Sequence, residues 1–183
     1  MPRGEAWIHE IKHDGFRLIV QRRGDQVKII TRGGYNWTER YPQIVRGALA
    51  LKSKSFTIDG EGVVCGADGI ADFALLHSRQ HDKACFLYGF DLLEEGGTDL
   101  RAKPLFLRKD RLEQMLAKSK SGIVYSEHAD LDGSALFESA CKMGLEGIVS
   151  KRKGRPYMSG PSSCKHWIKV KNPKAPAMQR IET

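Results

Sequence analysis

The sequence lacks the features that mark a membrane span, a secretory leader or a metal-stapled fold. Its longest apolar runs fall far short of the roughly 20 residues that a membrane helix needs. The opening Met1-Pro2-Arg3-Gly4-Glu5-Ala6-Trp7 has no apolar signal-peptide core. Four cysteines, Cys65, Cys85, Cys141 and Cys164, are scattered without a Cys-x-x-Cys pair, so buried free thiols are expected rather than zinc or a disulfide frame. The six histidines show no metal-ligand spacing. Neither Gly-x-x-x-x-Gly-Lys-Ser/Thr nor a post-strand Gly-x-Gly-x-x-Gly occurs, which excludes a P-loop and leaves any nucleotide to side-chain charge. There is no internal repeat, low-complexity tract or internal linker. A soluble intracellular chain of one domain is expected.

With 183 residues, the chain is long enough to bury a real core. It carries 30 Lys+Arg against 22 Asp+Glu, a formal net charge of +8, which favours a polyanionic partner, nucleic acid before membrane. The excess concentrates in the last quarter, at Lys151-Arg152-Lys153-Gly154-Arg155 and between Lys165 and Lys174. Solvated basic faces are the alternative reading.

Periodicity predicts strands over 7–12 and 17–31, the second folded into a hairpin at Gly24-Asp25 and ended by Gly33-Gly34. A helix opens at Thr38-Glu39, with Tyr41, Ile44, Val45, Ala48 and Leu49 on one face and Pro42 in its first turn. Further strands are predicted over 56–64, interrupted at Asp59-Gly60-Glu61, and over 84–93, 123–125, 147–152 and 166–171. Helices are predicted over 72–79, 107–118 and 134–143. Leu112, Met115 and Leu116 face inward on the second, with its charges outward. Leu136, Phe137, Ala140 and Cys141 face inward on the third, which Gly144 closes. Strands without regular βαβ alternation indicate an α+β fold with largely antiparallel sheets. After Pro173 the tail is expected to be extended or disordered.

Chemistry gathers first at Glu10-Ile11-Lys12-His13-Asp14-Gly15-Phe16-Arg17, where Lys12 ends a strand just before an Asp-Gly turn. A nucleophilic lysine must shed its proton, and since the ordinary pKa is about 10.4, nearby cations or desolvation must lower it. Candidate cations stand in Trp167-Ile168-Lys169-Val170-Lys171, where alternation puts Lys169 and Lys171 on one face. They form either a phosphate site or an ordinary exposed strand face. Glu61 and Glu146 are carboxylates at strand edges: turn acids, or one ligand for ribose hydroxyls and one for a divalent cation. Phe90 either joins the core or stacks on a purine. Arg32, at a hairpin exit, suits a phosphate or ribose contact or else a solvated loop. His13 is expected on the opposite face from Lys12, and no histidine is given a role.

Taken in order, these segments resemble the covalent nucleotidyltransferases, the superfamily of ATP-dependent DNA ligases, RNA ligases and mRNA capping enzymes. Lys12-His13-Asp14-Gly15-Phe16-Arg17, Thr31-Arg32-Gly33, Asp59-Gly60-Glu61, Gly89-Phe90-Asp91-Leu92-Leu93 with Asp99-Leu100-Arg101 and Pro104-Leu105, Glu146-Gly147-Ile148-Val149-Ser150-Lys151, and Trp167-Ile168-Lys169-Val170-Lys171 follow the family's motif order over roughly 5–173. The pattern is most similar to the adenylation domain of bacterial ATP-dependent DNA ligases of the end-joining type.

The resemblance implies two mainly antiparallel sheets flanked by helices, with ATP between them and Mg2+ (or Mn2+) as its metal. Lys12 would take AMP as a phosphoramidate and pass it to the 5′-phosphate of nicked duplex DNA, in DNA repair and recombination. The backbone at Glu10 and Ile11 would read adenine, and Phe90 would stack on it. Arg17 and Glu61 would bind ribose, Glu146 the metal, and Lys169 and Lys171 the α-phosphate. Arg32 would lie near the ATP ribose or the DNA 5′-phosphate, and Lys151 and Arg152 would meet DNA. Residues 1–173 would form the adenylation domain and 174–183 a tail without an OB-fold domain, the chain being either a fragment or a minimal protein that works with a separate OB-fold or end-joining protein, in a bacterial cytosol. The alternatives are an RNA ligase or capping-type enzyme, separable by ATP against GTP, and a non-catalytic nick- or end-binding module.

Overall fold

A computed structural model describes residues 1–130, 132–158, 160 and 165–178. Ten strands and four α-helices run in the order β1 (Trp7–Ile11), β2 (Phe16–Arg23), β3 (Gln26–Thr31), α1 (Pro42–Ala50), β4 (Ser55–Val63), α2 (Phe73–His77), β5 (Phe86–Glu95), β6 (Thr98–Asp99), α3 (Leu105–Leu116), β7 (Ile123–Tyr125), β8 (His128–Ala129), α4 (Gly133–Lys142), β9 (Gly147–Arg152) and β10 (Trp167–Lys171). They form two sheets, one ordered β10-β9-β1-β8 and one ordered β3-β2-β4-β5-β6, with β7 pairing β5. Every pairing is antiparallel except β5 with β7. The expected α+β fold with two mainly antiparallel sheets is therefore present.

Local chemistry accounts for most boundaries. The β2–β3 hairpin turns at Gly24, which takes a φ of +59°, and Asp25. Pro42 starts α1, where its missing N–H has no helical partner to lose. Asp72 caps α2 by accepting from the Ala74 and Leu75 N–H groups, and Asp132 caps α4 by accepting from that of Ser134. Gly144 follows α4 with φ +72°, as a C-terminal stop requires. The main core lies on the larger sheet, where Leu18, Val20, Ile29, Ile44, Phe56, Ile58, Leu92 and Leu112 are fully buried. Each such side chain contributes about 1.5–3 kcal/mol.

Several expectations need correction. β4 is not interrupted at Asp59-Gly60-Glu61; the strand runs through with register shifts on β5 at Thr57/Ile58 and Asp59/Gly60. Leu49 is 40% exposed, so the inward face of α1 ends at Ala48. On α4, Leu136, Phe137 and Cys141 are only half-buried and Ala140 carries the contact. Of the cysteines, Cys85 is buried while Cys65 and Cys141 are intermediate, and Cys164 lies outside the described residues. The tail does not leave as an extended strand: Ala175 is buried, and Pro176–Met178 form a 3-10 turn closed by the Met178 N–H donating to the Ala175 carbonyl. Residues 179–183 lie outside the described residues. No helix among the described residues is long and apolar enough to cross a membrane.

The largest departure concerns α3. It starts at Leu105, and its charges are not all outward, for Arg108 and Lys109 are each 1% exposed. Arg108 makes a bidentate pair with Asp91 of β5, Nε–Oδ1 2.7 Å and Nη2–Oδ2 2.9 Å, and also donates to the Lys103 and Arg155 carbonyls. Removing one partner of such a pair leaves a buried charge unpaired, at a cost of about 3–5 kcal/mol. Arg108→Ala should therefore lower unfolding free energy by about that amount in urea titrations, whereas surface changes such as Lys142→Ala should stay within about 0.5 kcal/mol.

Candidate active site

The two sheets face each other across a cleft of about 420 Å³. From the smaller sheet come Glu10 and Ile11 of β1, Val149 and Lys151 of β9, and Trp167 and Lys169 of β10. The larger sheet supplies Arg17 of β2, Glu61 of β4 and Phe90 of β5, with Arg32 just past β3. Lys12 enters from the segment joining the sheets. Larger surface cavities of about 1000 and 990 Å³ lie elsewhere and contain none of these residues.

Lys12 follows directly on β1, its N–H donating to the Gly147 carbonyl (2.9 Å), which sets the height at which its side chain leaves the sheet. Its ammonium lies 2.5 Å from Glu146 Oε2. Glu146 is the residue before β9, and the chain there needs Gly147, whose φ is +141° and where a Cβ would collide with the Val170 carbonyl. Gly15 is needed for a similar reason: a Cβ there would collide with the Gly62 carbonyl. The glycines of both segments thus allow the close packing that brings Lys12 and Glu146 together.

Arg17 and Glu61 are direct cross-strand partners in the β2–β4 register. The Arg17 guanidinium is held by Asp59, Nε–Oδ1 3.1 Å and Nη2–Oδ2 2.7 Å, and lies 5.7 Å from the Phe90 ring centre and 5.4 Å from that of Trp167. Tyr157 Oη donates to the same Asp59 Oδ2 at 2.8 Å, tying the β9–β10 connection to the larger sheet. Glu61 has no such partner. Burial is the chief cause of its carboxyl being pushed up to about 7, with Lys12 opposing and Asp59 reinforcing.

Lys169 projects into the cleft without an ion pair among the described residues. Partial burial, then Lys12, Arg17 and Arg32, hold its ammonium below the usual lysine value. This convergence of cations is a site for an anion. Lys171, on the same strand face, is exposed at the end of β10 and outside the cleft lining.

Phe90 is half-buried and meets Trp167 edge to face, with ring centres 5.8 Å apart. Lys151 is not on a basic surface. It is 2% exposed, its ammonium 2.7 Å from Glu10 Oε2 and 4.2 and 4.4 Å from the Phe90 and Trp167 ring centres. Its charge is thus spent inside the protein, and the expected DNA contact does not fit this placement. Arg152 does lie exposed, its guanidinium 5.0 Å from the Trp7 ring centre. Glu10 also pairs with Lys109, Oε1–Nζ 2.7 Å. Burial opposes the Glu10 charge, but the two ammonium groups prevail and keep its carboxyl below the usual range.

His13 corrects another expectation. β1 ends at Ile11, so strand alternation does not apply, and His13 lines the cleft with its ring stacked on Tyr88 at 3.8 Å and 6°. Burial lowers its pKa to about 4, so it is neutral at physiological pH. Sequence reading also passed over Trp167 as a wall of the cleft, although it shares the alternation that picks out Lys169. Asp59, Tyr157 and Lys109 had no local signal beyond their type.

The family model described as ATP dependent DNA ligase domain matches residues 2–171. The multifunctional non-homologous end joining protein LigD of Pseudomonas aeruginosa is 37% identical over 174 residues, covering 93% of this chain and 20% of that protein. The SPbeta prophage-derived DNA ligase-like protein LigB of Bacillus subtilis is 32% identical over 173 residues, covering 92% of this chain and 62% of LigB. Among solved structures, a mycobacterial DNA ligase D complexed with ATP and MES superposes with a TM-score of 0.78 at 30% identity, covering 90% of this chain and 54% of that one. The chain therefore spans about a fifth of the Pseudomonas relative and about half of the mycobacterial structure.

The raised Glu61 carboxyl has a consequence for stability. Both states are protonated well below the unfolded value of 4.5; between that and about 7 only the unfolded state ionises, so stability falls as pH rises through this window. Glu61→Gln should accordingly gain melting temperature over the parent at pH 8 and lose that gain by pH 4, as read in thermal melts across the range.

Proposed function

The chain belongs to the ATP dependent DNA ligase domain family, and from that premise we propose that it is the adenylation domain of a bacterial end-joining ligase that forms a lysyl-AMP on Lys12. The observation that carries this reading is the Lys12–Glu146 pair opening into a cleft with Lys169, Arg17 and Arg32 on its walls. No glycine loop cradles phosphate here, so these cations do that work by position and charge.

In this reading the Lys12 amine, its proton released to solvent, attacks the α-phosphorus of ATP. The new N–P bond forms as the bond from that phosphorus to the bridging oxygen breaks, and the electron pair leaves with pyrophosphate. Lys169 neutralises the α-phosphate, with Lys171 at the mouth. The adenine enters between Phe90 and the backbone of Glu10 and Ile11. Glu61, largely able to hold its proton near neutral pH, donates to or accepts from the ribose hydroxyls. Arg17 closes that wall from its seat on Asp59. An oxygen of the 5′-phosphate at a DNA nick then attacks the adenylate phosphorus, breaking the N–P bond and releasing Lys12. The 3′-hydroxyl finally displaces AMP. Arg32 and Arg152 serve the DNA phosphates.

No group of three or more His, Cys, Asp or Glu side chains is placed to cage a metal among the described residues. That suits an ion such as Mg2+ (or Mn2+), which is held by one or two carboxylates together with substrate phosphates. Glu146 is the residue that would hold it, and the ion would supply charge neutralisation at the phosphate oxygens. We place the domain at residues 1–173 and the tail at 174–183, acting in the bacterial cytosol with nicked duplex DNA. An OB-fold domain, in the same protein or a separate one, or an end-joining protein is the partner we propose for it.

With a divalent metal and labelled ATP, the protein should acquire one covalent AMP, visible by mass spectrometry and absent from Lys12→Ala. Preference for GTP would favour a capping-type reaction, and no label even with a supplied OB-fold partner would favour a binding module. Affinity for nicked duplex should fall steeply with salt, and Arg32→Ala should lower the slope of log K against log salt by about 1. An unchanged slope would remove Arg32 from the phosphate contacts.

A further inference from the structure

Lys109 has no place in the chemistry above, and its surroundings ask for one. A lysine is seldom fully buried, yet Lys109 is 1% exposed in α3. Its ammonium forms an ion pair with Glu10 Oε1 at 2.7 Å and donates to the Ser126 carbonyl at 3.0 Å and the Phe90 carbonyl at 3.4 Å. These partners come from β1, from the β7–β8 connection and from β5, and all three residues line the cleft. Lys109 itself does not. One ammonium behind the wall therefore sets the relative positions of three residues in front of it.

We propose that Lys109 is a positioning residue for the nucleobase end of the nucleotide pocket, acting through Glu10, Phe90 and Ser126. The inference rests on the reading of the cleft as an ATP site. Glu10 lies two residues before Lys12 and shares its carboxylate between Lys109 and Lys151, the latter resting on the Phe90 ring. Without Lys109, the carboxylate has a single partner and can follow Lys151 toward the rings. The Phe90 and Ser126 carbonyls lose a common donor, and the gap into which a purine would slide is no longer fixed. Burying an ionic group of this kind costs several kcal/mol in desolvation, and an apolar side chain of equal size is often as stable or more so. Holding geometry is what the charge adds.

The test is the concentration dependence of AMP incorporation. Lys109→Met should raise the KM for ATP about tenfold or more while the rate at saturating ATP stays within about threefold, the pattern of lost ground-state binding. Leu112→Ala, buried on the same helix but outside the cleft, should lower the melting temperature without altering KM. If Lys109→Met is insoluble, Lys109→Gln retains a donor for one of the carbonyls and should give an intermediate KM. A parent-like KM in either variant, or a fall in every step together with melting temperature as in Leu112→Ala, would overturn the inference and leave the lysyl-AMP reading intact. A parent protein that never takes label overturns both.

Discussion

The carboxylate of Glu10, gripped by two buried ammonium groups, is the contact on which the site depends. Its oxygens lie 2.7 Å from Lys109 and 2.7 Å from Lys151, and Glu10 is 3% exposed. Lys109 belongs to a helix packed on the larger sheet and Lys151 to β9 of the smaller one. One acid therefore ties helix, strand and strand, with Lys12 only two residues further on. An apolar contact at this point would tolerate sliding, whereas a paired buried charge does not, because any slip strands a charge in low dielectric. The position of the Lys12 backbone follows from that intolerance together with its own hydrogen bond to the Gly147 carbonyl.

On the larger sheet a second ionic group plays the matching part. Asp59 is fully buried and receives both Arg17 and the Tyr157 hydroxyl. Tyr157 belongs to the connection between β9 and β10, so this contact also crosses between sheets. Arg108 and Asp91 form a third buried pair behind them. The facing walls of the cleft are thus set by charged groups satisfied inside the protein, while Lys12, Lys169 and Arg32 keep their charge directed at the opening. The division separates residues of the same type: Lys151 and Lys109 hold the walls, and Lys169 faces the cleft.

Much of this arrangement was legible in short segments and much was not. Glu61 and Glu146 sit next to glycines, Lys169 lies within strand alternation and Lys12 precedes an Asp-Gly turn, so local rules made them candidates and the motif order gave them roles. The β2–β3 hairpin, the Gly144 stop and the antiparallel sheets were equally local. Arg108 and Lys109 were misread as outward because a helix pattern assigns charges to solvent unless partners are known, and those partners, Asp91 and Glu10, stand 17 and 99 positions earlier in the chain. Lys151 was assigned to a DNA face for the same reason. His13 was misplaced by extending a strand one residue too far, and β6 and β8, of two residues each, carry too little pattern to be seen.

Charge count and charge placement therefore give different information about this chain. A net +8 points to a polyanion, but the most basic-looking motif, Lys151-Arg152, splits into one lysine committed to Glu10 and one arginine at the surface. The converse holds at Lys169, a strand lysine whose value lies in having no carboxylate partner among the described residues. Lys12, Arg17 and Arg32 crowd its ammonium, and that repulsion is relieved when an anion arrives. A phosphate in the cleft would thus find a site whose electrostatic work was done during folding, by burying the acids elsewhere. Binding energy is then available for orienting the phosphorus toward Lys12, which is the use a positioned nucleophile has for it.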